Sequence, residues 1–239
     1  MSTLGLVCSG CTKAYGRSLA LDAVSLQVTS GQVVGLVGPN GAGKTTLLHA
    51  VVGLVRLDHG SVRINGLSSG SPAAKRHLAF MADDLPRPEH LTGREYVGLV
   101  STLYGRRPDP EVMLDLADRL EVLGRLDDLL ASLSHGMRRK VDLLAAVAVE
   151  PDVLLMDEPF SGLDPTMVDV VGDVVRQRRD AGLATLLSAH DLELAAELAD
   201  RIVMLDHGRV VVEDTPAGIL ARCDTTDIRA AFRTLRSSS

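Results

Sequence analysis

Short apolar runs closed by Gly and Ser alternate with longer stretches of helical spacing, and together they set the predicted elements. Leu4 to Val7, Ala20 to Val28 and Gln32 to Val37 read as strands, grouped as antiparallel ones. Within the last of these, Val33 to Val37 leads into a Gly-rich segment, after which Thr46 to Val52 has helical spacing. Gly60 to Gly66 reads as a strand closed by an Asn65-Gly66 turn, and Leu78 to Met81 as another short strand. A helical block follows. Thr92 and Glu95 form a capping box that opens Tyr96 to Tyr104, and Asp109 to Val122 carries Val112, Leu116 and Leu120 at helical spacing. Val141 to Val149 is helical, Val153 to Met156 is a buried strand, and Ser161 to Pro165 breaks the chain before a helix to about Arg179. Ala184 to Leu187 is a strand, and Arg201 to Leu205 pairs with Arg209 to Val212 as a hairpin. Thr215-Pro216 starts a short helix, and the Ser-rich end after Leu235 is expected to fray.

Composition narrows the class. With 239 residues and 46% hydrophobic content the chain can bury one full core with an inserted subdomain. A formal charge of −6 argues against nucleic acid as a partner, since phosphate backbones are gripped by concentrated Lys and Arg. The longest apolar run, Leu143 to Val149, stops at Glu150-Pro151, short of the roughly 20 residues that span a bilayer. Met1 to Val7 has no cationic region or cleavage signal, so a cytoplasmic chain is expected, with membrane contact only through a partner. Cys8 and Cys11 have C-x-x-C spacing. With only Cys223 besides and no paired histidines, they read as two small residues on an early strand.

The chemistry centres on Gly38-Pro39-Asn40-Gly41-Ala42-Gly43-Lys44-Thr45-Thr46, which fits the phosphate-loop pattern between a strand and a helix. Its glycines let the backbone turn tightly and aim N–H groups inward, and the following helix adds its positive dipole end. Lys44 reaches the β- and γ-phosphates and the Thr45 hydroxyl ligates Mg²⁺, so a nucleoside triphosphate is expected here.

Val153 to Met156 ends in Asp157-Glu158-Pro159, two adjacent carboxylates for which a buried strand has no structural need. At the C-terminal end of a parallel strand they face the same crevice as the phosphate loop. Asp157 can hold Mg²⁺ and Glu158 can polarise an attacking water. His190 also follows a strand end, where its imidazole can hydrogen-bond a γ-phosphate. Leu133-Ser134-His135-Gly136-Met137 opens a helix, and by itself it reads either as an N-cap or as a second anion site. Tyr15, one of six aromatic residues, reads either as core or as an adenine-stacking ring.

GPNGAGKTT, LSHGM, VLLMDEP, SGLD and His190, in this order, resemble the ATP-binding subunit of an ATP-binding cassette (ABC) transporter over nearly the whole chain. The resemblance implies an α/β fold: a P-loop NTPase (RecA-like) core with an antiparallel β subdomain and an inserted α-helical subdomain at about 84–150. The cassette would occupy 1–222, with 223–239 a short tail. It further implies that two cassettes, two copies or one copy and a paralogue, pair head to tail. Each phosphate loop is then closed by the other chain's signature, with Ser134 and Gly136 on the partner's γ-phosphate. Glu158 becomes the general base, His190 the switch histidine, Tyr15 the adenine-stacking aromatic, and Asp164 a contact across the interface. The cofactors are ATP and Mg²⁺, and the further partner is an integral membrane permease, pulled through the groove beside Asp83 to Tyr104. The subunit would sit peripherally on the inner face of the membrane.

The chain departs from the family's pattern in two places, the signature and the segment after Met81. His135 and Met137 replace a Gly and the Gln of the usual LSGGQ, while Gly136, expected to be sterically critical, is kept. Asp83 falls where the family often has a Gln that touches Mg²⁺ and the attacking water. Branches resembling drug, antibiotic and polyketide exporters often carry an acidic residue there, which points to export. The alternatives are a cytosolic cassette ATPase without a transport role and a regulatory nucleotide sensor.

Overall fold

Alternation along Val33–Val37 decides the architecture. All five residues are buried, with Val33 and Val37 in one apolar core and Val34 and Leu36 in a second. A strand buried on both faces sits inside a sheet that carries a layer on each side. The computed structural model describes residues 4–82 and 86–237. The chain runs through β1 (Leu4–Tyr15), β2 (Ser18–Thr29), β3 (Val33–Val37), α1 (Lys44–Val52), β4 (His59–Ile64), β5 (Leu67–Ser68), α2 (Pro72–Lys75) and β6 (Leu78–Met81). The helical block follows as α3 (Gly93–Leu103), α4 (Pro110–Arg119) and α5 (His135–Ala148). The rest is β7 (Val153–Met156), α6 (Pro165–Asp180), β8 (Ala184–Ala189), α7 (Leu192–Leu198), β9 (Arg201–Asp206), β10 (Arg209–Asp214), α8 (Pro216–Arg222) and α9 (Ile228–Ser237).

The larger sheet has the order β10-β9-β3-β8-β7-β6. All neighbours are parallel except the β9–β10 hairpin. The antiparallel grouping expected for Gln32–Val37 is therefore corrected: β3 lies parallel to both β8 and β9. Alternation and Gly/Ser punctuation mark a strand but not its direction, and direction here follows from the helical crossovers that parallel neighbours require. The smaller sheet, β2-β1-β4-β5, is antiparallel. Its last turn is Asn65-Gly66, both at positive φ, as a two-residue hairpin of this hand demands.

One core lies between the sheets and takes in Leu47, Leu48 and Val51 of α1. The other lies under α5, α6, α7 and the helical block. Each fully buried Leu or Val contributes about 1.5–3 kcal/mol. Thr92 forms the expected capping box with Glu95, and Asp109 caps α4. Along α4 the helical spacing holds for Leu116 and Leu120, which are buried, but Val112 is 63% exposed. The fraying expected after Leu235 is not seen at Arg236 and Ser237, while Ser238 and Ser239 lie outside the described residues. α9 continues to Ser237 and buries Ile228, Ala231, Phe232 and Leu235 in the larger core. Cys8 and Cys11 are buried, unbridged residues of β1. Among the described residues, no helix is long and apolar enough to cross a membrane.

Candidate functional site

β3 delivers the phosphate loop to the C-terminal edge of the larger sheet, and two glycines there have no substitute. A Cβ at Gly38 would stand 2.2 Å from the Leu205 carbonyl oxygen, and one at Gly43 would stand 2.4 Å from that of Ala20. Both residues have positive φ. Gly43 is the N-cap of α1, no side chain caps that helix, and no acid lies in its first turn. The first-turn N–H groups therefore face an anion site with the helix dipole behind them. Lys44 is buried and its ammonium donates to the Gly38 carbonyl at 2.7 Å and, more weakly, to that of Pro39 at 3.4 Å.

β7 and β8 end beside this loop. Lys44 Nζ lies 3.9 Å from Glu158 Oε1, and the other oxygen of that carboxylate, Oε2, is 2.7 Å from His190 Nδ1. The His190 backbone N–H also donates to Oε2, at 3.1 Å. Three sequence-predicted residues thus meet at one point, the loop lysine, the strand-end Glu158 and the histidine, with Asp157 behind them. Glu158 is partly exposed while Asp157 is 3% exposed, so one carboxylate meets solvent and the other faces the interior.

Two residues hold this geometry that the motifs did not single out. Ser188 on β8 is fully buried; its hydroxyl donates to Asp157 Oδ1 at 2.5 Å and accepts from the Glu158 backbone N–H at 3.0 Å. Arg139 on α5 is also fully buried, and its Nη2 donates to the backbone carbonyls of Asp157, at 3.3 Å, and of Glu158. The available signals were a hydroxyl inside an otherwise apolar strand and an arginine on the inward face of an apolar helix.

Ser134 caps α5, accepting from the Met137 N–H at 3.2 Å. Asp164 caps α6 in the same way, from Met167 at 3.1 Å. A Cβ at Gly136 would meet only the Gly162 carbonyl, at 3.6 Å, an ordinary contact. Within one chain, then, nothing forbids a side chain at 136, and any steric demand there comes from outside the chain. Tyr15 ends β1 half exposed, with Lys13 Nζ 5.4 Å from its ring centre. Asp83 lies outside the described residues.

The donor set suits a hard cation. Thr45 and Asp157 offer a hydroxyl and a carboxylate oxygen, and Mg²⁺ is commonly held by one or two such groups together with substrate phosphates. Among the described residues no group of three or more His, Cys, Asp or Glu side chains forms a cation site by itself.

A groove bounded by β6, α3 and α5 is lined by Phe80, Tyr96, Val100, Leu103 and Tyr104. At its base Arg87 Nε donates to Asp142 at 2.7 Å. Burial raises the Asp142 carboxyl above its usual range, against the pull of Arg87, and pushes Tyr96 up to about 12. Leu103 stands 73% exposed at the rim.

Residues 21–161 match the ABC transporter family. The chain is 35% identical to the daunorubicin/doxorubicin resistance ATP-binding protein DrrA of Streptomyces peucetius, covering 98% of this chain and 72% of that protein. It is 38% identical to the sulfate/thiosulfate import ATP-binding protein CysA of Burkholderia mallei, covering 90% of this chain and 64% of that one. Its fold superposes with a TM-score of 0.89 on the solved structure of an ATP-binding subunit of an ABC transporter, at 28% identity, covering 97% of this chain and 99% of that one. These matches in sequence and in fold, over a site where Lys44 is ion-paired and His190 hydrogen-bonded to Glu158, show that the chain belongs to the ABC transporter family and is its ATP-binding, ATP-hydrolysing subunit.

Proposed function

We propose that this subunit works as one half of a head-to-tail pair of cassettes that powers a separate membrane permease acting as an exporter. The observation that carries the catalytic part is the Lys44–Glu158–His190 convergence. Lys44 and the N–H groups of the phosphate loop bind the triphosphate, and Mg²⁺ held by Thr45 and Asp157 supplies charge neutralisation on its oxygens. Gly38 to Thr46 wrap the phosphates, and Tyr15 stacks the adenine. Glu158 takes the proton of the attacking water, while His190 orients that carboxylate and contacts the γ-phosphate. Ser188 and Arg139 are positioning residues that hold the Asp157-Glu158 turn. Ser134 and Gly136 close the partner cassette's site, and Asp164 carries the contact between the two sites.

In this reading residues 1–222 form the cassette with its helical insertion at about 84–150. The permease docks in the groove between β6 and α3, whose exposed Leu103 offers an apolar anchor, and Asp83 serves as a further ligand of the metal. That docking places the subunit on the inner face of the membrane. Support for export comes from the daunorubicin/doxorubicin resistance relative, and the sulfate/thiosulfate import relative makes direction the point to test.

The test is to purify tagged Glu158→Gln protein from its host's membranes with MgATP. Recovery of a closed, ATP-loaded dimer with a polytopic membrane protein is expected, and the sequence of that protein narrows substrate and direction. A soluble dimer with no membrane partner would replace this reading with a cytosolic cassette ATPase, and undiminished turnover would remove Glu158 from the mechanism.

A further inference from the structure

Remote from the phosphate loop, a cleft of about 240 Å³ opens between α4 and α5 on one side and α6 with Leu183 on the other. Its walls are apolar: Val112, Leu116, Leu144, Val147, Val174 and Leu183 line it. One charged side chain is sunk into that wall. Arg178 of α6 is 5% exposed, and its Nη2 donates to the Pro151 carbonyl at 2.7 Å. Its Nε is enclosed with no hydrogen-bond partner. Among the described residues no carboxylate is in ion-pair contact with the guanidinium; Asp152 attracts it only from beyond contact distance, and the side chain borders the cleft. A buried guanidinium stays charged, and a charge removed from water without a counter-ion in contact is expensive to keep.

We propose that this cleft binds a small apolar molecule carrying a single carboxylate, with its body against the α4, α5 and α6 side chains and its charge on Arg178. The pairing supplies a carboxylate in direct contact, which the more distant Asp152 does not, through the fork geometry that guanidinium and carboxylate share. The rim selects against polyanions. Asp109, Asp115 and Glu150 border the cleft beside Arg119, so phosphates and nucleotides meet repulsion, while a singly charged group on an apolar body passes at modest cost. Because the ligand touches the helical block and α6 together, it bridges the layer that carries Ser134 and the layer that carries Asp164. Occupancy therefore biases how those layers sit against each other.

The probe is hexanoate, titrated into the full chain by calorimetry and followed by ligand-observed NMR, with 1-hexanol as the uncharged match. Hexanoate is expected to bind, 1-hexanol to bind about tenfold more weakly or worse, and Arg178→Leu to remove that difference, as loss of a charge-assisted hydrogen bond requires. Val112→Trp, a change at an exposed wall position, should block both ligands. It carries the test alone if Arg178→Leu does not fold. The proposal is overturned if hexanoate does not bind at millimolar concentration, if 1-hexanol binds equally well, or if Val112→Trp leaves hexanoate binding unchanged.

Discussion

Replacing Ser188 by Ala separates positioning from binding, because this hydroxyl touches the catalytic turn and does not contact the phosphate loop. It is fully buried between Asp157 Oδ1, to which it donates at 2.5 Å, and the Glu158 N–H, from which it accepts at 3.0 Å. Its removal orphans one carboxylate oxygen and one backbone donor. Each such loss costs about 1–3 kcal/mol. Glu158 is partly exposed and water recovers some of its share, which puts the stability loss at about 2–4 kcal/mol. The freed turn no longer fixes Glu158, and a misplacement on the order of 1 Å costs about 10²-fold in rate. The expected outcome is a kcat lower by about ten- to a hundredfold with a nearly unchanged KM for ATP, read by phosphate release, and a lower urea midpoint. Thr185→Val is the matched control on the same strand. Thr185 is also fully buried, but its hydroxyl has no partner, so losing it should be neutral or stabilising by about 1 kcal/mol. If Ser188→Ala and Thr185→Val behave alike in rate and stability, the positioning argument fails.

Gly38→Ala would bring a Cβ within 2.2 Å of the Leu205 carbonyl at positive φ, and should abolish ATP binding measured by equilibrium dialysis while keeping the fold by circular dichroism. Phe232→Ala should cost about 3–5 kcal/mol in chemical denaturation, the price of a core cavity, whereas a frayed tail would give no change. Arg178→Leu should raise stability. Burial brings this guanidinium down to about 10, worth about 3 kcal/mol, and the lost bond to Pro151 offsets about 1, leaving a gain of about 2 kcal/mol. A lower melting temperature would refute that assignment of cost. Glu158→Gln completes the set as the ATP-trapping variant described above.

The nucleotide-facing side of the molecule was legible because its chemistry is local. The phosphate loop occupies nine consecutive residues, and the strand ends announce themselves by carboxylates and a histidine after apolar runs. What escaped is what distance in sequence hides. Ser188 and Asp157 lie 31 residues apart, and Arg139 reaches across from α5 to Asp157, so neither contact follows from spacing. The direction of β3 was unreadable for the same reason, since it depends on which strands become its neighbours. Val112 matched the helical period of Leu116 and Leu120 yet faces out, because α4 covers the core with only part of one face. α9 was hidden by its Ser-rich ending. Its amphipathic spacing at Ile228, Ala231, Phe232 and Leu235 was the signal that outweighed it.

The fate of the three thiols has a practical side. Cys8 and Cys11 are sealed inside β1, and the Cys8 thiol is pushed well up, chiefly by its hydrogen bond with Cys11 and by burial. Cys223 is partly exposed, its Sγ directed to the Ala231 carbonyl of α9 at 3.7 Å. A maleimide dye added to the unmodified chain would therefore settle on one position, at the foot of the last helix. Its fluorescence would report the surroundings of that helix with and without MgATP, with no cysteine to remove and none to add.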